Sequence, residues 1–139
     1  MDVIWSDVGD PAAFACAVLA REAPDINPEA IRRSAWAVET LPLRGIMLAP
    51  GMVEEHDADP VHVDRRDRFI TAITEGRPIP PLIVVGTEPV RAPSGAIRYL
   101  ILPYPEVGGV PLLADGYARY RALTRLGLKE AVVVRQQRP

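Results

Sequence analysis

Between Leu112 and Leu128 the chain runs Leu-Leu-Ala-Asp-Gly-Tyr-Ala-Arg-Tyr-Arg-Ala-Leu-Thr-Arg-Leu-Gly-Leu, and this stretch constrains the fold more than any other. The apolar run Val110 to Ala114 has the length of a buried strand. It meets Asp115-Gly116, after which apolar residues recur at helical spacing until Gly127, a residue type suited to the left-handed turn that ends a helix. A strand therefore passes into a helix through one glycine.

On a helical wheel Ala118, Ala122, Leu126, Leu123 and Tyr120 share one arc, with Arg121, Thr124 and Arg125 opposite. Arg119 falls in the middle of the apolar arc. A cation there is disfavoured twice, because burial penalises an unpaired charge and the positive end of the helix dipole repels a cation in the first turn. Something negative has to sit beside it. Two partners meet that need: an internal carboxylate such as Asp115, or the phosphate of a ligand held by Arg119 and the free N–H groups after Gly116. The residues alone leave both open.

The rest of the chain supplies the layers around this unit. Met1 to Trp5 reads as a short strand. Asp10-Pro11 reads as the cap and first residue of a helix to about Glu22, with Phe14, Ala15, Val18 and Leu19 inward. Asn27-Pro28 repeats the signal and opens a second helix to about Ala37, with Trp36 off its apolar stripe, so a helical hairpin precedes the rest. Val38 to Leu48, with Pro42 inside, reads as an edge strand or a strand interrupted by a bulge, and Glu54 to Asp59 as a solvated acidic loop. A further helix starts at Asp59-Pro60 or at Asp64 and ends at Gly76, with Phe69, Ile70 and Ile73 inward. If Asp64 caps it, Arg66 becomes a second first-turn arginine converging with Arg119 on one anion. Pro78-Ile-Pro-Pro leads into Leu82 to Val85, an apolar run too short for a helix and hence a buried strand. Thr87 to Ala96 reads as a turn with Pro93-Ser94-Gly95 at its tip, Ile97 to Tyr104 as the returning strand, and Ala131 to Val134 as the last strand. That turn and the loop from Glu106 to Gly109 are the segments best placed to close over a ligand.

The pattern apolar strand, Asp115-Gly116-Tyr117-Ala118-Arg119-Tyr120-Arg121-Ala122, helix, Leu-Gly, short apolar strand resembles the signature of the ParB N-terminal domain and sulfiredoxin superfamily. Val38 to Leu48, Phe69 to Gly76 and Pro78 to Val85 fall in that superfamily's order too, so the resemblance spans residues 38 to 135. It implies an α+β fold, a mixed sheet with packed helices, here preceded by the N-terminal helical hairpin. The whole of 1–139 is then one domain, with 1–37 as a helical addition. It implies that the loop-helix junction binds the phosphates of a nucleotide, with Gly116 and Arg119 at the matching positions and Asp115, Tyr117, Ala118 and Arg66 around them. The implied cofactor is a nucleoside triphosphate with Mg2+, with no redox cofactor. Members of the superfamily also show phosphoryl-transfer or nuclease activity, for which Asp115 is the one acid inside the motif. Sulfiredoxin chemistry is not expected, because Tyr117 stands where sulfiredoxins carry their cysteine. A complete DNA-partition clamp is not expected either, since the motif is not followed here by a helix-turn-helix region.

Charge narrows the partners. A formal net charge of -2 provides no global positive field, so strong non-specific DNA binding by the chain alone is not expected, and any DNA association passes through a partner. The single cysteine, Cys16, forms no internal disulfide and lies in an alanine-rich helical pattern, which reads as packing. No signal or membrane-spanning pattern stands out, so a cytoplasmic location is expected. A protein partner or homo-oligomer through the helical hairpin stays open, as does the alternative of a ligand-free protein-interaction module. Both histidines, His56 and His62, lie among carboxylates, but their spacing matches no metal-ligand pattern, and no metal site is expected.

Overall fold

A computed structural model describes residues 1–24, 26, 28–101 and 110–137, with backbone only at 88–90 and 97–101. The described elements are α1 (Pro11–Glu22), α2 (Pro28–Arg33), β1 (Ala35–Pro42), a 3-10 turn (Leu43–Gly45), α3 (Met52–Ala58), α4 (Pro60–Thr74), β2 (Leu82–Arg91), β3 (Ile97–Ile101), β4 (Val110–Asp115), α5 (Tyr117–Arg125) and β5 (Glu130–Gln137). The fold is α+β with a mixed five-stranded sheet.

β2 organises that sheet. It pairs in parallel with β5 at Leu82 to Val84 and antiparallel with β4 from Ile83 to Thr87. Beyond Thr87 it pairs antiparallel with β3 as far as Arg91. β1 lies antiparallel to β5 along its whole length, from Ala35 opposite Gln137 to Pro42 opposite Glu130. Where the β2 to β5 ladder stops, the Gln136 side chain continues it: its Oε1 accepts from Gly86 N at 2.9 Å, and its Nε2 donates to Ser34 Oγ at 2.6 Å.

The run Leu82 to Val85 is buried throughout because the sheet is covered on both faces. Alternation sends Leu82 and Val84 into one cluster with Leu113, Val133, Ala122 and Leu123, beneath α4 and α5. Ile83 and Val85 face the other way and join Ala15, Leu19, Ile31 and Trp36 beneath α1 and α2. Each fully buried aliphatic side chain here contributes roughly 1.5–3 kcal/mol, so the N-terminal hairpin acts as the second cover of the sheet. Cys16 packs half-buried against that cluster.

Several boundaries differ from the sequence reading. α2 ends at Arg33 rather than near Ala37, because the eight-residue pairing with β5 takes Ala35 onward into a strand. Trp36 is buried as a result, and its indole N–H donates to the Ile31 carbonyl at 3.3 Å. β1 stops at Pro42, which has no N–H for the ladder, and Met47 makes only a bridge to Leu112. Glu54 to Asp59 is mostly helix α3 rather than loop, and the extended reading of Met1 to Trp5 reduces to one bridge between Trp5 and Ile79. β2 continues to Arg91, leaving a shorter turn than Thr87 to Ala96. Asn27, the end of the Ile97 to Tyr104 strand and the Glu106 to Gly109 loop lie outside the described residues.

Candidate functional site

The strand-to-helix junction predicted from the sequence is present, and glycine makes it possible. Gly116 has φ 107°, a conformation that L side chains rarely adopt. A Cβ placed there would stand 2.7 Å from Leu82 Cδ2 and 2.9 Å from Arg119 Nη2, so the backbone passes directly over the Arg119 guanidinium. Downstream, Ala122 and Leu123 are fully buried and Tyr120 and Leu126 pack against the same cluster, as the helical wheel requires. Tyr117, which the wheel left off the inner arc, is buried as well.

Arg119 is buried and pairs with the internal carboxylate, Asp115. Its Nη2 donates to Asp115 Oδ2 at 2.7 Å, while Nη1 donates to the carbonyls of Pro80 and Pro81 at 3.0 and 2.9 Å. The guanidinium carbon also lies 5.8 Å from the Phe69 ring centroid. Burial lowers its pKa and Asp115 opposes that, yet a guanidinium keeps its proton in a protein. Arg119 thus ties α5 to the end of β4, to the chain entering β2 and to α4.

Above this pair opens a cavity of about 270 Å3. Its floor is Asp115, Gly116, Tyr117, Ala118 and Arg119, and its walls include Glu22, His56, His62 and Arg65. Among the described residues no side chain caps α5, which leaves the first-turn N–H groups beside Gly116 open to an acceptor. Among the described residues Arg65 has no carboxylate partner, although it lies close enough to Arg119 for their charges to repel.

The wall opposite α5 is aromatic. The His56 and His62 rings stand 4.0 Å apart between centroids, tilted by 37°, and His56 lies 4.5 Å from the Tyr117 ring. Among the described residues nothing hydrogen-bonds to the buried His56 Nδ1. Burial, and then the neighbouring His62, lower the His56 pKa, against the weaker pull of Glu55, Asp59 and Asp57. Burial raises the Tyr117 phenol, which donates to Asp57 Oδ1 at 3.2 Å. Arg121 holds the other oxygen of Asp57 at 2.8 Å, so α3 is tied to α5 by one shared carboxylate.

Five of the six site residues expected from sequence therefore line one cavity. Arg66 does not join them. The α4 cap is Asp59, whose side chain accepts from Val61 N, so Arg66 lies beyond the first turn; it pairs with Asp67 and faces Asp57 and Arg121. Its neighbour Arg65, one helical step around, reaches the cavity instead. Sequence reasoning missed Arg65 and Glu22 and found no role for the two histidines; the signal available for Arg65 was Asp59-Pro60, a cap and first-residue pair that fixes the helix phase. Among the described residues no group of three His, Cys, Asp or Glu side chains converges on a metal position. No described helix is long and apolar enough to cross a membrane. Comparison of the chain with protein-family models, curated proteins and solved structures returns no match.

Proposed function

We infer that this chain is a ParB/sulfiredoxin-like domain that binds a nucleotide or another phosphate-bearing ligand in the cavity over Gly116. The observation that carries this reading is Arg65, which among the described residues has no carboxylate partner, at the rim of a cavity whose floor is the start of α5. Arg119, whose Nη1 and Nη2 reach two carbonyls and Asp115, also shapes the floor. Ligand pockets usually measure roughly 300–1,000 Å3. A cavity of about 270 Å3 suits the phosphate end of a ligand, with the remainder outside.

Binding is favoured over phosphoryl transfer or nuclease chemistry because Asp115, the acid of the motif, is engaged by Arg119 through its Oδ2. A Mg2+ ion arriving with the nucleotide keeps its waters and needs few protein ligands. The reading places the protein in the cytoplasm, where nucleotides are abundant, and assigns any DNA association to a partner chain. Thermal unfolding with ATP, CTP and GTP, with and without Mg2+, tests it. A ligand at about one hundred times its Kd stabilises the folded state by about 2.7 kcal/mol, which raises Tm. Arg65→Ala should abolish the shift without lowering the Tm of the free protein. No shift with any nucleotide, or a full shift in Arg65→Ala, would count against the site.

A further inference from the structure

We propose that His56 and His62 form a ligand-binding wall of this cavity, and that a phosphate group binds there together with one proton, which the imidazole pair takes up. This rests on the phosphate reading above and adds the residues and the proton that complete its charge.

The argument begins with the charges around the cavity. Its two arginines, Arg65 and Arg119, are matched by two carboxylates, Glu22 and Asp115. With both imidazoles neutral the lining carries no net charge, and a phosphate would meet Glu22 and Asp115 as well as the cations. One proton on the histidine pair makes the lining positive. The fold resists a proton on His56 in the free protein, through partial desolvation and through the second imidazole 4.0 Å away.

The surroundings are set so that the balance can turn. On α3 and at its end, Glu55, Asp57 and Asp59 favour the protonated form. Two of these carboxylates are partly spent, Asp57 on Tyr117 and Arg121, and Asp59 on the α4 cap, with its Oδ2 3.7 Å from His62 Nε2. From α4, Arg65 lines the same cavity, and Arg66 together with Arg121 of α5 lies beside the histidine pair. An anion in the cavity offsets these cations, relieves the repulsion between Arg65 and Arg119, and favours the charged imidazole. Protonation is then part of binding, because the anion and the imidazoles meet in one cavity.

The test uses sulfate, which stays a dianion where histidine titrates and so contributes no protons of its own. Calorimetric titration of the whole chain with sulfate is run from about pH 5.5 to about pH 8, a window that brackets imidazole titration. Uptake of one proton makes the affinity fall about tenfold per pH unit through that window. Repeating the titration in buffers of different ionisation enthalpy reads the proton directly. His56→Asn and His62→Asn, each checked for folding by circular dichroism, should flatten the profile, whereas Arg65→Gln should lower affinity at every pH and keep the slope. The wild-type profile needs no variant, so a poorly folded mutant does not rescue the idea. Sulfate affinity independent of pH, in a protein that ATP still stabilises, would overturn the proton-linked wall and leave the phosphate site standing. Failure of both sulfate and ATP to bind at any pH would remove both.

Discussion

Replacing Arg119 with alanine separates a structural arginine from a ligand-binding one. The substitution removes the 2.7 Å contact to Asp115, the two donors to Pro80 and Pro81, and the contact with Phe69. The paired side chains are only 10% and 17% exposed, so water reaches little of what is left behind. Removing one member of a buried pair costs about 3–5 kcal/mol, since the remaining carboxylate is stranded. Because Asp115 retains some exposure, the lower part of that range applies, about 3 kcal/mol. Against a total stability of roughly 5–15 kcal/mol, such a loss is easily measured. Urea unfolding followed by circular dichroism, without ligand, should show a lower midpoint with an unchanged slope. Asp115→Asn and the double variant complete a cycle, in which contacting residues should couple by roughly 0.5–3 kcal/mol. An Arg119→Ala loss below about 1 kcal/mol would mean that the buried pair does not hold the junction together.

Gly116→Ala forces a side chain into a strained backbone conformation and into contact with Leu82 and Arg119, so unfolding should show a loss of at least about 1–3 kcal/mol. Leu123→Ala, at a fully buried site between α5 and the sheet, should cost about 2–5 kcal/mol by the same assay, and a loss under 1 would mean the helix face is misassigned. The His56 pKa is lowered on folding from 6.5, so the unfolded chain binds that proton more readily. The stability His56 contributes is present above about pH 6.5 and is lost as pH falls through its folded pKa. His56→Asn should therefore make stability less steep with pH on the acid side, and an unchanged profile would show that His56 is not desolvated.

Local signals in the sequence carried well where one residue type answers one backbone need. Asp10-Pro11 opens α1, and Gly116 and Gly127 bracket α5, because cap and left-handed positions depend on a few neighbouring residues. The signals misled where distant pairing decides. Ser34 to Ala37 has no local reason to leave a helix; β5 draws it into the sheet. The partner of Arg119 was open for a related reason, since Asp115 was visible in the motif but the carbonyls of Pro80 and Pro81 were not. Arg65 and Arg66 differ by one residue, so the choice between them depends on the phase of α4, which Asp59 sets. The histidine pair was hidden by a change of direction at Asp59. Six positions apart on one straight helix they would not stack, but the break between α3 and α4 folds one ring onto the other.

The position of β5 between β1 and β2 also bears on how fast the sheet can assemble. Ser34 meets Gln136 across 102 positions, and Glu39 meets Arg135 across 96, so β1 has no sheet partner until most of the described chain has been gathered. Closing a loop of that length costs entropy before any contact repays it, and folding slows as contacting residues lie further apart in sequence. Until β5 arrives, one edge of β1 and one edge of β2 stay open, the condition in which strands of separate molecules pair. Refolding yield should therefore fall as protein concentration rises, and variants that weaken β5 should aggregate during refolding before they lose much stability at equilibrium.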